Sequence, residues 1–169
     1  MTLVISSLAR HHDRLDFDCG EPALNHFLQR LARQQADRDF NRTYVAVEQG
    51  EAQIQGFYAI SAASIDFENW PAALRLPRYP VPVVRIGRLG VDLRAQGKGI
   101  GVALLQNALH LAASTAEKIG LCAVVVDAKN ESVASFYARF GFQSFPDRSL
   151  SLFLMTDVIK RALTASPSA

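Results

Sequence analysis

The run Val91-Asp92-Leu93-Arg94-Ala95-Gln96-Gly97-Lys98-Gly99-Ile100-Gly101-Val102-Ala103-Leu104-Leu105 decides how this chain folds. Ahead of it, Val83, Val84, Ile86, Leu89, Val91 and Leu93 form an apolar series that reads as a buried strand. The series breaks at Arg94-Ala95-Gln96 and passes three alternating glycines. It then becomes a helix with apolar residues at Ile100, Ala103, Leu104 and Ala108. A glycine-rich turn that opens a helix directs unpaired backbone N–H groups and the positive end of the helix dipole at one small region. That arrangement binds phosphate, so these residues imply a phosphorylated ligand.

Two common phosphate loops do not fit. The pattern G-x-x-x-x-G-K-[ST] fails because Gly97-Lys98 is followed by Gly99 and position 92 is Asp92. The dinucleotide fingerprint G-x-G-x-x-G fails because its third glycine arrives one residue early, at Gly101. It also belongs in the first βα turn of a chain, whereas this loop lies past the midpoint. Arg94-Ala95-Gln96-Gly97-Lys98-Gly99 matches [RQ]-x-x-G-x-[GA] and resembles the pyrophosphate loop of the GNAT superfamily of N-acetyltransferases. The alternative is a glycine turn that holds no ligand, because short glycine motifs recur by accident.

A second segment decides between them. Leu121-Cys122-Ala123-Val124-Val125-Val126-Asp127-Ala128 reads as another buried strand. It leads into Asn130-Glu131-Ser132-Val133-Ala134-Ser135-Phe136-Tyr137-Ala138-Arg139-Phe140-Gly141-Phe142, which resembles the second GNAT signature in order and distance. The resemblance is strong over residues 83 to 156. It implies a mixed α/β fold: a twisted, mostly antiparallel sheet splayed between two parallel strands, with helices on both faces. The ligand it implies is acetyl-CoA, with the first helix capping the pyrophosphate and the second bordering the pantetheine arm.

Composition agrees with one globular domain. The chain has 169 residues, 49% hydrophobic and 20% charged. No apolar run approaches the roughly 20 residues that span a bilayer, and the N-terminus has no apolar stretch ahead of a cleavage site. Cys122 reads as a small core residue; Cys19 is open, and neither cysteine has zinc-site spacing. The four histidines are scattered without ligand spacing. We expect a cytoplasmic protein with no metal and no membrane partner. The expected domain covers residues 1–163, with a disordered tail over 164–169.

Along the chain, Thr2 to Leu8 reads as an edge strand, and Pro22 starts a helix whose stripe is Leu24, Phe27, Leu28 and Leu31. Thr43–Val47 and Gln53–Ser61 read as strands, with a third over Ala63–Phe67. Residues 71–82 carry four prolines and read as a loop. Strand, helix, strand and helix follow, then two strands between Gly141 and Met155. The expected order is ββα–ββ(β)–βα–βα–ββ.

Charge is uneven. Residues 75–98 hold six cations (Arg75, Arg78, Arg85, Arg88, Arg94, Lys98) against Asp92, while the whole chain is only +2. A second basic run, Arg30, Arg33, Arg38 and Arg42, lies on the first helix and its exit. Such clustering suits a polyphosphate such as RNA. A solvated surface plus the coenzyme's own phosphates would account for Arg94 and Lys98, though not easily for Arg75, Arg78, Arg85 and Arg88.

A closer resemblance follows. Phe17-Asp18-Cys19-Gly20-Glu21-Pro22-Ala23-Leu24-Asn25-His26-Phe27-Leu28, Asn41-Arg42-Thr43-Tyr44-Val45-Ala46-Val47 and Arg85-Ile86-Gly87-Arg88-Leu89-Gly90-Val91-Asp92 look like segments of the GNAT toxins of bacterial toxin–antitoxin systems. That likeness implies acetylation of the α-amine of aminoacyl-tRNA, a ribbon-helix-helix antitoxin and a homodimer. It carries over Tyr137 as general acid. It assigns Leu89, Val91, Arg94, Gln96, Gly97, Lys98, Gly99, Ile100, Gly101, Asn130, Ser132 and Phe136 to acetyl-CoA. Phe136 and Phe140 also read as core, and Ser132 fits helix capping equally well.

Arg42, Arg75, Arg78, Arg85 and Arg88 are the candidates for tRNA. An α-amine, with a reference pKa of about 7.7–8.0, needs less help from a base than a lysine near 10.4. The candidate bases are Asp92, Asp127, Asp66, Glu68 or water. Two rival readings remain: a GNAT enzyme acting on a small amine or a protein N-terminus, and a non-catalytic coenzyme- or DNA-binding module.

Overall fold

The computed structural model describes residues 2–165. The strands are β1 (Leu3–Ser7), β2 (Arg42–Glu48), β3 (Gly56–Ile65), β4 (Val81–Val91), β5 (Ala123–Asp127), β6 (Gln143–Phe145) and β7 (Arg148–Met155). The helices are α1 (Pro22–His26), α2 (Ala32–Asp37), α3 (Ile100–Thr115), α4 (Glu131–Ala138) and α5 (Thr156–Ala165), with a π-helical turn, Phe27–Leu31, between α1 and α2. All seven strands join one mixed sheet in the order β1-β2-β3-β4-β5-β7-β6. β4 and β5 are parallel, with Val83 opposite Ala123 through Ile86 opposite Val126. A parallel pair needs a crossover, and α3 supplies it. The pairs β1–β2, β2–β3, β5–β7 and β6–β7 are antiparallel.

The chain divides into two compact units that interleave in sequence. One takes residues through Ser61 plus Gly87–Ala108; the other takes Ala62–Ile86 plus residues from Leu109 onward. In the first, Phe17, Phe27, Leu28, Val45, Ile54 and Phe57 form a core, with Phe17 edge-on to Phe57 at 5.4 Å. Each such side chain contributes about 1.5–3 kcal/mol on burial. In the second, Trp70 meets Phe145 and Phe153 edge-on at 4.9 and 5.1 Å, over Val81, Val83, Ala123 and Val125. Ala123–Val126 is buried throughout because β5 is an interior strand, so its sequence shows no alternation.

Several expected elements shift. The separate strand over 63–67 does not form; β3 runs unbroken from Gly56 to Ile65. One strand, not two, precedes the first helix. The 71–82 loop contains the short 3-10 turn Ala72–Leu74, and β4 begins inside it at Val81. Sequence reading also missed α5, whose buried side consists of Thr156 and Ile159. Of the expected tail, Thr164 and Ala165 belong to α5, and 166–169 lie outside the described residues.

Candidate active site

In the first unit, the turn between β4 and α3 takes its shape from two glycines. Gly97 and Gly99 sit at φ 79° and 80°, where a side chain is strained. A Cβ built on either would meet no heavy atom within 4 Å, so the space in front of the backbone is open. Helix α3 makes its first backbone bond from the Ala103 N–H to the Gly99 carbonyl at 3.0 Å. The N–H groups of Ile100, Gly101 and Val102 therefore have no helical acceptor. Donors converge on an open cradle that a pyrophosphate fits. Lys98 is exposed there, whereas the Ile100 side chain is buried, which leaves only its backbone for a ligand.

Behind the turn lies a network that the residue pattern did not disclose. Asp92 is 1% exposed. Its Oδ1 accepts from the Arg94 backbone N–H and Nε, both at 2.9 Å. Its Oδ2 accepts from Arg94 at 3.0 Å and from the Asp18 N–H at 3.1 Å. Arg94 also donates to the Asp16 carboxylate and to the Asp16 carbonyl, each at 3.0 Å. The Arg94 guanidinium is thus engaged by carboxylates, which corrects the expectation that it faces a ligand phosphate. Gln96 likewise turns its amide back to the Val91 carbonyl at 3.2 Å.

Arg94 holds the Asp92 carboxyl down at about 2. A carboxylate so clamped cannot serve as a base at neutral pH, and Asp92 leaves the list of candidates. The segment ahead of α1 is tied to the same network. Leu93 donates to the Asp18 carbonyl at 2.8 Å, the Asp18 carboxylate accepts from Gly20 and Asn25, and Asn25 Oδ1 accepts from the Cys19 N–H at 2.9 Å. Asp18 and Asn25 therefore brace the turn. The signal that could have revealed this is the D-x-R spacing of Asp92 and Arg94, but the distant partners Asp16 and Asp18 carry no local mark. Leu89 and Val91, on the last part of β4, are half-buried.

In the second unit, Asn130 Oδ1 accepts from the Val133 N–H at 3.0 Å and caps α4. This resolves the alternative for Ser132, which is exposed and does not cap. Tyr137, 5% exposed, is flanked by Phe136 at 5.2 Å and Phe142 at 5.5 Å. Burial pushes its phenol up to about 12, so the group stays protonated. Phe136 is half-buried between Tyr137 and Phe140.

Arg85 forms an ion pair with Asp127, whose other oxygen accepts from Ser151 Oγ at 2.8 Å. Both residues line a cavity of about 220 Å³ together with Asp66 and Phe145. Only strand register brings Arg85 and Asp127 together: Val125, two residues before Asp127, lies opposite Arg85.

The candidate RNA-binding arginines separate by partner. Arg42 is tied to Asp39 at 2.6 Å and to the Ala36 carbonyl at 2.7 Å, and Arg85 to Asp127. Arg75 is exposed and left-handed at φ 51°, and Arg78 lies 5.9 Å from the Phe67 ring centre. Arg88 is half-buried, 4.0 Å above the Phe27 ring.

The family profile described as an acetyltransferase (GNAT) domain matches residues 39–144. A tRNA-acetylating toxin of Mycobacterium tuberculosis is 34% identical over 145 residues, covering 85% of this chain and 86% of that protein. A probable toxin TacT of Sinorhizobium fredii is 31% identical over 159 residues, 88% of each. Among solved structures, a tyrosine-to-phenylalanine mutant of KacT superposes with TM-score 0.89 at 29% identity, covering 96% of this chain and 99% of that one. AtaT complexed with acetyl-methionyl-tRNAfMet superposes with TM-score 0.88 at 28% identity and the same coverage. A tyrosine-to-phenylalanine mutant of AtaT bound to the C-terminus of the antitoxin AtaR gives TM-score 0.84 at 28% identity, covering 96% and 98%. Among the described residues no helix is long and apolar enough to cross a membrane.

Proposed function

The chain belongs to the acetyltransferase (GNAT) family, and from that premise we propose that it moves acetyl from acetyl-CoA to the α-amine of aminoacyl-tRNA, as the toxin of a toxin–antitoxin pair. The observation that carries the coenzyme half is the open cradle at Gly97 and Gly99 under the unpaired N–H groups of α3. The acceptor half is supported by likeness to the M. tuberculosis tRNA-acetylating toxin and to AtaT in complex with acetyl-methionyl-tRNAfMet.

Bound acetyl-CoA supplies a thioester whose carbonyl carbon accepts the amine and whose sulfur leaves. The backbone of Gly97 to Gly101 takes the pyrophosphate, with Lys98 adding a mobile cation. Arg94 and Gln96 act from behind, holding the turn in shape. Backbone groups of Leu89 and Val91 pair with the pantetheine amides and polarise the thioester carbonyl. Asn130, Ser132 and Phe136 border the pantetheine arm.

Tyr137 is the proton donor. A phenol near 12 is a weaker acid than a thiol near 8.5, so outright donation to the leaving sulfur is uphill. The attacking amine, however, acquires a strongly acidic proton once it has bonded to the carbonyl carbon. Tyr137 therefore gives its proton to sulfur as the amine's proton is relayed back, and ends neutral. An α-amine is already partly neutral at pH 7, so a water suffices to deprotonate the rest.

The antitoxin-bound AtaT mutant supports an antitoxin partner, for which we propose a ribbon-helix-helix protein. A cytoplasmic homodimer and a single catalytic domain over residues 1–163 complete the reading; the family match runs through both units. The test is transfer of labelled acetyl from acetyl-CoA to total charged tRNA, with Tyr137→Phe and uncharged tRNA as controls. Label confined to charged tRNA and lost with Tyr137→Phe is the expected result. Absence of label on any charged tRNA, with acetyl-CoA still bound, would overturn it.

A further inference from the structure

The arginines of the first unit are not equivalent. Arg94 has its donors on Asp92 and Asp16, and Arg42 has its own on Asp39 and Ala36. Arg88 is different. Its guanidinium carbon lies 4.0 Å from the centre of the Phe27 ring, a residue 1% exposed in the π-helical turn, and no carboxylate or carbonyl of the described residues accepts from it. It stands on β4 between Gly87 and Leu89, in a strand whose next residue on that face, Gly90, packs toward Cys19 and Leu24. A half-buried cation with no counter-charge costs free energy, and a ring compensates only part of it. Contact with the ring restrains the guanidinium, and its N–H donors, which no described acceptor takes, are available to a bidentate acceptor. Such a fork matches phosphate oxygens.

Resting on the acceptor assigned above, we propose that Arg88, held in place by Phe27, binds the phosphodiester at the 3′ end of the aminoacylated RNA. In that role it adds affinity for the acceptor's 3′ end without taking part in the transfer step. Exposed Arg75 and Arg78 would then supply the screened, sequence-independent attraction that any RNA stem feels. Arg88 is a binding residue that acts on the terminal nucleotide whatever the rest of the RNA contains. Phe27 is a positioning residue that acts through it.

The test compares Arg88→Lys and Phe27→Leu with the unchanged protein on two acceptors. One is whole aminoacyl-tRNA; the other is a short aminoacylated RNA that keeps only the 3′ terminal nucleotides. Acetyl-CoA affinity is measured in parallel. Lysine keeps the charge and loses the planar fork, so Arg88→Lys should raise the acceptor KM about tenfold, the effect of one good bidentate contact. The rise should be equal on both acceptors, with kcat little changed and acetyl-CoA affinity within twofold. Phe27→Leu should raise the same KM by a smaller factor. A rise confined to whole tRNA would overturn the proposal, because Arg88 would then act as general steering. A parallel loss of acetyl-CoA affinity would also overturn it, placing the coenzyme's phosphates on Arg88. If the unchanged protein acetylates neither RNA, the acceptor reading itself fails and the inference falls with it.

Discussion

The glycine turn at 96–101 and the helix at 131–138, to which the proposed function assigns the two halves of the chemistry, are built on opposite physical principles. The turn works by exposure. Its donors are backbone N–H groups, Gly97 and Gly99 are left-handed, and no protein atom fills the space in front of those two. The helix works by burial. Its N-terminus is closed by Asn130, and Tyr137 is packed among Phe136 and Phe142 until its phenol resists ionisation. A phosphate site built from backbone tolerates no side chain at its glycines. A proton donor built from burial tolerates a change of one atom structurally but not chemically.

The sharpest way to break this contrast is to put a side chain on the turn. Gly97→Val or Gly99→Val adds a β-branched group at positive φ, at a backbone cost of about 1–2 kcal/mol, and fills the cradle. Acetyl-CoA binding by calorimetry should be lost while the fold, followed by circular dichroism, survives. Tyr137→Phe should leave acetyl-CoA binding intact and lower kcat by about 10²–10⁴, the usual weight of a positioned acid. Equal loss of coenzyme affinity would show Tyr137 to be packing.

Asp92→Asn sharpens the comparison from behind the turn. Removing the buried anion that holds Arg94 should cost about 2–3 kcal/mol in urea unfolding and raise the KM for acetyl-CoA. The pH dependence has a defined sign. The Asp92 carboxyl falls to about 2 in the folded state, below its unfolded value of about 3.9. Its stabilisation is complete above about pH 4 and is lost as pH falls towards 2; in Asp92→Asn that part of the acid transition should disappear. Reversing Arg75 and Arg78 to Glu should weaken RNA binding and flatten its salt dependence, leaving acetyl-CoA affinity nearly unchanged. The smallest effect belongs to Asn130→Ala, about 1 kcal/mol of stability from a lost helix cap, read as a modest fall in Tm.

Both signatures, and with them the loop, the Tyr137 helix and the strands β4 and β5, were legible in the sequence because each depends on short-range chemistry. Glycine at 97 and 99 is dictated by φ, Asn130 by a cap four residues long, and Ala123–Val126 by complete burial. The roles of single side chains were less legible. Arg94 sits where a ligand contact is expected, yet three of its nitrogens go to Asp92 and Asp16. Arg42 and Arg85 count as cations in the sequence but are each paired with a carboxylate. The extended β3 and the helix α5 escaped because their patterns are weak locally and are stabilised by what they pack on.

The amino-acid sequence alone thus determined that the chain carries a glycine turn opening a helix and a tyrosine helix, both of acetyltransferase type, since backbone conformation and motif spacing are local properties. Tertiary structure decided which charges are free. Whether an arginine meets Asp92, Asp127, a phenylalanine ring or water depends on partners as far as 78 residues away in the chain, and Coulomb and desolvation energies are set by distance in space.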